Sequence, residues 1–422
     1  MNGFEAGQIN RITGVPEGYD AFLLAAMCRE QKRSFLHICR DDARLDRLKK
    51  GLRFFSPDIE VLAFPAWDCL PYDRVSPASD IVADRLSSLS CLSGDTNGTR
   101  IVLTTVSAIL QKIPARVFFE GVTLTVCEGE AVNRDELLAF FATNGYRRAE
   151  TVREPGEFAV RGGIVDMFVP GQTDPIRMDF FGENLETIRA FDAMSQRSKV
   201  TKKRIDILPV SEAPLDDESI SRFRGRYRQA FGVPLDNDFI YASVSAGQRQ
   251  AGYEHWLPFF HNQLETLFDY LPGATICFDH QWENAFQARC ETIRDHFQAR
   301  IEFLPSNLRA AGSQDEPVYQ PIDPDEFFVN DEEWKAILEK RERIQFSPFD
   351  DGAETGATTN ADGRPAPTFA EARQREDLNL FDAVRQTIID AAKSKPVVIA
   401  SASSGSRDRL IKLISSSDDK SP

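Results

Sequence analysis

A glycine-bracketed loop that opens a helix lets backbone N–H groups gather around a phosphate. Gly14-Val-Pro-Glu-Gly-Tyr-Asp-Ala21 is the stretch of this sequence in that position. A nucleotide-hydrolysing loop also needs a further glycine for close backbone approach, a lysine against the terminal phosphates and a Ser or Thr hydroxyl for magnesium. Gly14 and Gly18 are present, but Tyr19 stands in the place of the further glycine, Asp20 in that of the lysine and Ala21 in that of the hydroxyl. A carboxylate aimed at phosphate repels it. The stretch reads either as a nucleotide loop that has lost its chemistry or as an ordinary surface loop before a helix. Both readings predict no ATP hydrolysis by this chain and no cofactor.

A second constellation suits recognition rather than catalysis. In Ile176-Arg-Met-Asp-Phe-Phe181, residues 177, 179 and 181 share one face of an extended strand, leaving Met178 and Phe180 for the other. That puts a guanidinium fork, a carboxylate and an aromatic ring on one surface, and arginine and aromatics are enriched among interface hot spots. Arg161, on a neighbouring strand, could extend the patch, and Arg189 is a further candidate. The alternative arrangement buries Phe181 in the core and leaves the arginines paired with Glu157, Asp179 or Glu186 as surface ions.

Other chemistries find little support. The seven cysteines form no CxxC pair and the five histidines no HExxH, so no metal site is expected. No spacing suggests a Ser-His-Asp or Cys-His arrangement. Trp67, Trp256, Phe259 and Phe260 read as packing residues, and the charge run Glu332–Arg343 as a solvated helix face.

The elements around these residues change rhythm along the chain. Strands at 34–39, 59–64 and 101–104 alternate with helices at 41–54 and 80–92, a βαβ rhythm that implies a parallel sheet. From about residue 116 the pattern becomes α+β: a strand at 122–126, a helix at 134–143 stopped by Asn144-Gly145, then strands at 158–160, 163–168, 176–181 and 185–191, the last two joined tightly at Gly182-Glu183-Asn184. From residue 212 the pattern is mixed, with helices near 218–231 and 282–300 and a strand at 274–278. We therefore expect a parallel-sheet domain in two parts, 1–115 and 212–345, interrupted by an inserted domain at 116–211. A linker follows at 346–367, rich in Asp, Gly, Thr, Ala and Pro. A partial α/β unit at 368–422 then offers one helix near 378–392 and one strand at Pro396–Ala400.

At 422 residues the length suits two to four domains of roughly 100–200 residues each. A net charge of −15 works against broad attraction to a phosphate backbone. No basic n-region with an apolar run follows Met1, and no apolar stretch approaches the roughly 20 residues that span a bilayer. The expectation is a cytoplasmic protein with no membrane contact. The single strand of the last unit and the early stop after it suggest a piece of a longer chain.

Three stretches carry a resemblance. Phe64-Pro-Ala-Trp-Asp-Cys-Leu-Pro-Tyr-Asp-Arg-Val-Ser-Pro77, with the helix after it, strongly resembles the N-terminal region of the bacterial transcription-repair coupling factors (Mfd). Gly156–Pro170 and Pro175–Asn184 are similar to the module these share with the excision-repair protein UvrB, and Gly252–Phe260 to a third family stretch. The resemblance implies a degenerate helicase-like fold without an ATP site and an inserted domain that docks the excision-repair ATPase UvrA. The residues it points to for that contact are Arg161, Arg177 and Phe181. It also implies that RNA polymerase and DNA are engaged by polymerase-binding and translocase domains outside this chain. The alternative function is an ATP-dependent, UvrB-type enzyme that remodels and loads onto damaged DNA. Against it stand the loop at 14–21 and the direct run of Pro71–Arg85 into the next helix, where UvrB carries a DNA-probing hairpin.

Overall fold

The computed structural model describes residues 9–94, 98–235, 237–309, 318–349, 358–375, 378–401 and 403–415. Two compact units divide between Gly363 and Arg364.

The first unit begins with β1 (Ile9–Thr13), α1 (Tyr19–Gln31), β2 (Phe35–Cys39), α2 (Asp42–Phe55), β3 (Glu60–Phe64), α3 (Ser79–Ser93) and β4 (Arg100–Thr105). Short α4 (Val106–Ile109), β5 (Ile113–Pro114) and α5 (Arg116–Val122) follow. The helices form where capping and spacing allow. Asp41 accepts the Arg44 backbone N–H at 2.7 Å to start α2, and Leu45, Leu48 and Leu52 then bury one face. β2 and β4 are buried along their whole length, as strands covered on both faces must be.

An inserted domain then forms from β6 (Leu124–Cys127), α6 (Arg134–Thr143), β7 (Arg147–Arg148), β8 (Glu157–Arg161), β9 (Ile164–Met167), β10 (Ile176–Phe181), β11 (Asn184–Phe191), β12 (Ser198–Lys202) and β13 (Arg204–Ile207). Six of these strands make a mixed sheet in the order β12-β11-β10-β9-β8-β7, and β6 pairs with β13 beside it. Leu137 and Phe141 of α6 pack onto the inner face against Phe158, Val165, Met178 and Phe180. The opposite, outer face carries a small buried apolar cluster of Val152, Ala159, Phe168 and Phe191.

After β14 (Leu264–Glu265), which pairs with β5, the chain returns to the first sheet through β15 (Thr275–Phe278), β16 (Arg343–Phe346) and β17 (Thr358–Asn360). The main sheet has seven parallel strands in the order β17-β1-β16-β15-β2-β4-β3. β1 reaches β2 only through β16 and β15, so the segment after the insertion completes the centre of the sheet. The fold is thus an α/β parallel-sheet domain with an inserted mixed-sheet domain.

Two stretches differ from the sequence expectation. Within 346–367, expected as linker, Thr358–Asn360 pairs in parallel with Arg11–Thr13 and extends the sheet edge. β1 offers an open row of backbone groups there, and a polar segment can pair with it without burying side chains. In the second unit, helices occupy Ala370–Gln374, Leu380–Ala392 and Ser404–Ser415, but Pro396–Ala400 forms no strand. An apolar run becomes a strand only beside another, and the described residues of that unit supply none.

Candidate functional site

The loop at 14–21 does connect a strand to a helix. Gly14 and Gly18 both take left-handed backbone angles, φ 65° and 94°, which bring the chain sharply from β1 into α1. Asp20 then folds back over the helix mouth. One oxygen accepts the N–H groups of Gly18 and Ala21 at 2.9 and 2.8 Å, and the other is ion-paired with the buried guanidinium of Arg44. Arg44 also reaches Asp279 at 3.2 Å, and Arg40 bridges Asp279 and Glu17 at 3.0 and 2.6 Å.

The positive end of α1, where a phosphate would sit, is therefore filled by the chain's own carboxylate. Burial opposes ionisation of Glu17, but Arg40, Arg44 and Arg47 outweigh it and hold this carboxyl below its usual range. Tyr19 donates its hydroxyl to the Ala361 carbonyl at 3.2 Å. Ala21 is buried where α1 meets Gly51 of α2, so closely that a Cβ on Gly51 would come within 2.8 Å of the Ala21 methyl. Among the described residues no group of three or more His, Cys, Asp or Glu is placed to hold a metal ion.

Arg161, Arg177, Phe181 and Arg189 all lie on the outer face of the inserted sheet. Strand pairing aligns Ala159, Asp166, Arg177, Arg189 and Thr201 in one row across five strands. Arg161, Ile164, Asp179 and Thr187 make the next row, and Phe181 follows at the end of β10. Arg161 and Arg177 sit two strands apart and one row offset, about 12 Å at the usual spacings. Met178 and Phe180 face α6, while the ring of Phe181 is 76% exposed, so the arrangement with Phe181 in the core does not form.

Each arginine of this face is engaged within the chain. Arg177 donates two hydrogen bonds to Asp166, at 2.7 and 2.8 Å, and lies over the Phe191 ring at 4.7 Å. The hydrogen bonds that Arg177 donates to Asp166 push its pKa up, against the effect of burial. Arg189 pairs with Asp179 at 3.6 Å. Arg161 donates to the Glu150 carbonyl and to Thr151 Oγ1, tying the loop before β8 down over the sheet. Of the partners anticipated from sequence only Asp179 serves these arginines. Glu157 pairs instead with Arg147, at 2.7 Å. Asp166 was not singled out in the sequence; its one signal is a carboxylate within the apolar run Ile164-Val-Asp-Met167.

A second unforeseen residue is Glu212, where the inserted domain rejoins the main one. It forms a buried fork with Arg85 of α3 at 2.5 and 3.1 Å and accepts the Trp67 Nε1–H at 3.2 Å. Its carbonyl lies 2.7 Å from His261 Nε2. Arg85 in turn stacks over Phe64 at 4.2 Å and donates to the Pro65 carbonyl. Beside this hub a cavity of about 740 Å³ separates the two domains, lined among others by Tyr146, Arg147, Arg249 and Glu254. Burial pushes the Glu254 carboxyl up to about 7 although Ser76 Oγ donates to it at 2.7 Å.

The UvrB interaction domain family matches residues 124–212, from the first residue of β6 to the Glu212 hub. The transcription-repair-coupling factor of Escherichia coli is 30% identical over 400 residues, covering 93% of this chain and 33% of that protein. The chain is homologous to the N-terminal third of transcription-repair-coupling factors. The coupling factor of Haemophilus influenzae is 31% identical over 330 residues, covering 78% of this chain and 28% of its own length, and that of Rickettsia bellii is 27% identical over 393 residues. The chain thus spans about a third of the length of the curated coupling factors it matches. The outer face with Arg161, Arg177, Phe181 and Arg189 lies wholly inside the UvrB interaction domain. Among the described residues no helix is long and apolar enough to cross a membrane.

Proposed function

We propose that this chain is the UvrA-recruiting module of a transcription-repair-coupling factor, and that it docks UvrA on the outer face of its inserted sheet. The observation that carries the reading is Phe181, an aromatic ring left in solvent at the end of β10 on the same sheet face as Arg161, Arg177 and Arg189. An exposed ring set among ordered arginines is the composition in which interface hot spots are enriched. Arg161, Arg177 and Arg189 around it form a rigid, pre-ordered surface, which lowers the entropy lost on docking.

In this reading the chain acts in the cytoplasm in transcription-coupled excision repair. Contact with stalled RNA polymerase, and ATP-driven movement on DNA, belong to segments beyond the matched third. The chain itself does not turn over ATP, because Asp20 and Arg44 fill the position a phosphate would need. Calorimetric titration into purified UvrA, run beside an ATP-hydrolysis assay of the chain alone, tests both parts. Binding without hydrolysis supports the proposal, and hydrolysis by the chain or lack of binding contradicts it.

A further inference from the structure

Around Phe181 the arginines of the outer face are held by the chain itself. Arg177, Arg189 and Arg161 spend their donors on Asp166, on Asp179 and on the Glu150–Thr151 loop. Two carboxylates near the ring are not so engaged. Glu183 stands in the turn between β10 and β11, where Phe181 pairs with Asn184. Glu186 stands where the register of that pair slips: Asp179 faces Thr187 and Phe180 faces Leu185, so Glu186 is the extra residue of a bulge, without a cross-strand partner. Both are exposed, and among the described residues neither side chain has a hydrogen bond or ion pair.

On the other side of the ring the surface is bare backbone. Gly162 and Gly163 form the β8–β9 turn, and a Cβ on Gly163 would meet the Phe180 carbonyl at 2.7 Å. Arg134 holds this turn through the Gly162 carbonyl at 2.8 Å. The ring therefore projects between the glycine turn, with the Arg134 guanidinium on it, and the carboxylates of Glu183 and Glu186.

Resting on the proposed role in UvrA recruitment, we infer that the UvrA site facing this chain is an apolar socket for Phe181, rimmed by Lys or Arg side chains that pair with Glu183 and Glu186. Glu183 and Glu186 then set the partner's charge, while the arginines act by ordering the face. Complementary charge at the rim of an interface governs encounter rate and salt dependence.

The test is the affinity of the whole chain for purified UvrA at low and high salt, for the unmodified chain, Phe181→Ala, Glu183→Gln/Glu186→Gln and Glu183→Lys/Glu186→Lys. Both pairs are exposed and unpartnered, so equal urea midpoints are expected. The double Gln variant should bind about 10-fold more weakly at low salt and lose much of its salt dependence, and the double Lys variant about 100-fold more weakly. If the Lys variant binds as tightly as the unmodified chain, or more tightly, the acidic-rim inference is overturned. Should that happen while Phe181→Ala still weakens binding roughly 30-fold, the recruitment role stands and only the inference falls. Lack of binding by the unmodified chain overturns both.

Discussion

Arg177 and Asp166 face each other across β9 and β10 and are joined by two parallel hydrogen bonds of 2.7 and 2.8 Å, with Asp166 almost wholly buried. The fork fixes the guanidinium flat over Phe191, so this arginine is part of the face rather than a free arm reaching from it. Removing the acid leaves a half-buried cation unpaired. Asp166→Ala should lower stability by about 2 kcal/mol, the range for hydrogen bonds to charged groups, with Asp166→Asn losing less. Urea titration reads this directly, and an unchanged midpoint would mean that the fork contributes nothing to the fold.

The Asp20–Arg44 pair makes a different prediction. Asp20→Ala leaves Arg44 buried beside an empty helix mouth and should cost about 3 kcal/mol, softened by the remaining contact with Asp279. The vacated place is then an anion site. Millimolar sulfate should raise the melting temperature of the variant more than that of the unmodified chain, and equal shifts would refute the filled-site account.

Glu212 gathers Arg85 and Trp67 at the junction of the two domains. Glu212→Ala strands a fully buried guanidinium and an indole N–H, so a loss of about 4 kcal/mol is expected. Limited proteolysis should then cut the connections near residue 212 faster than in the unmodified chain. Loss of stability without faster cutting would show that the hub does not hold the junction.

Three buried histidines set the acid response. Burial pushes His37, His255 and His261 each down to about 4, below the roughly 6.5 of an unfolded chain. Between those values the unfolded state binds more protons, so stability is full above pH 6.5 and falls as the pH drops toward 4. Glu254, pushed up to about 7, works the other way and offsets one histidine. These four groups together contribute a slope of roughly 3 kcal/mol per pH unit near pH 5. His37, whose ring nitrogens have no hydrogen-bond partner among the described residues, is the cleanest probe: His37→Leu should flatten the urea-midpoint slope by about half of that contribution. An identical slope would mean that His37 is not held neutral.

Much of the fold could be read from local pattern. The helix at Arg134–Thr143 matched its reading because Asn133 caps it and Asn144-Gly145 ends it. The strand at Ile176–Phe181 matched because polar and apolar residues alternate along it. The outer face was legible for the same reason, since alternation alone puts residues 177, 179 and 181 together. What escaped depends on register and topology. Arg177 meets Asp166 only once β9 and β10 are aligned, and Arg85 meets Glu212 across 127 residues of sequence. Asp20 was legible as a lost lysine, but its folding back onto Gly18 and Ala21 is a property of the turn.

The central claim is that the outer face of the inserted sheet docks UvrA around Phe181. Because Arg177 also supports the fold, Phe181→Ala is the decisive variant: its ring is in solvent and its removal should leave stability unchanged within about 0.5 kcal/mol. The affinity of the chain and of this variant for purified UvrA should differ by about 2 kcal/mol, roughly 30-fold, and Arg161→Ala/Arg177→Ala/Phe181→Ala should abolish binding. Equal affinities for the chain and its Phe181→Ala variant would contradict the account.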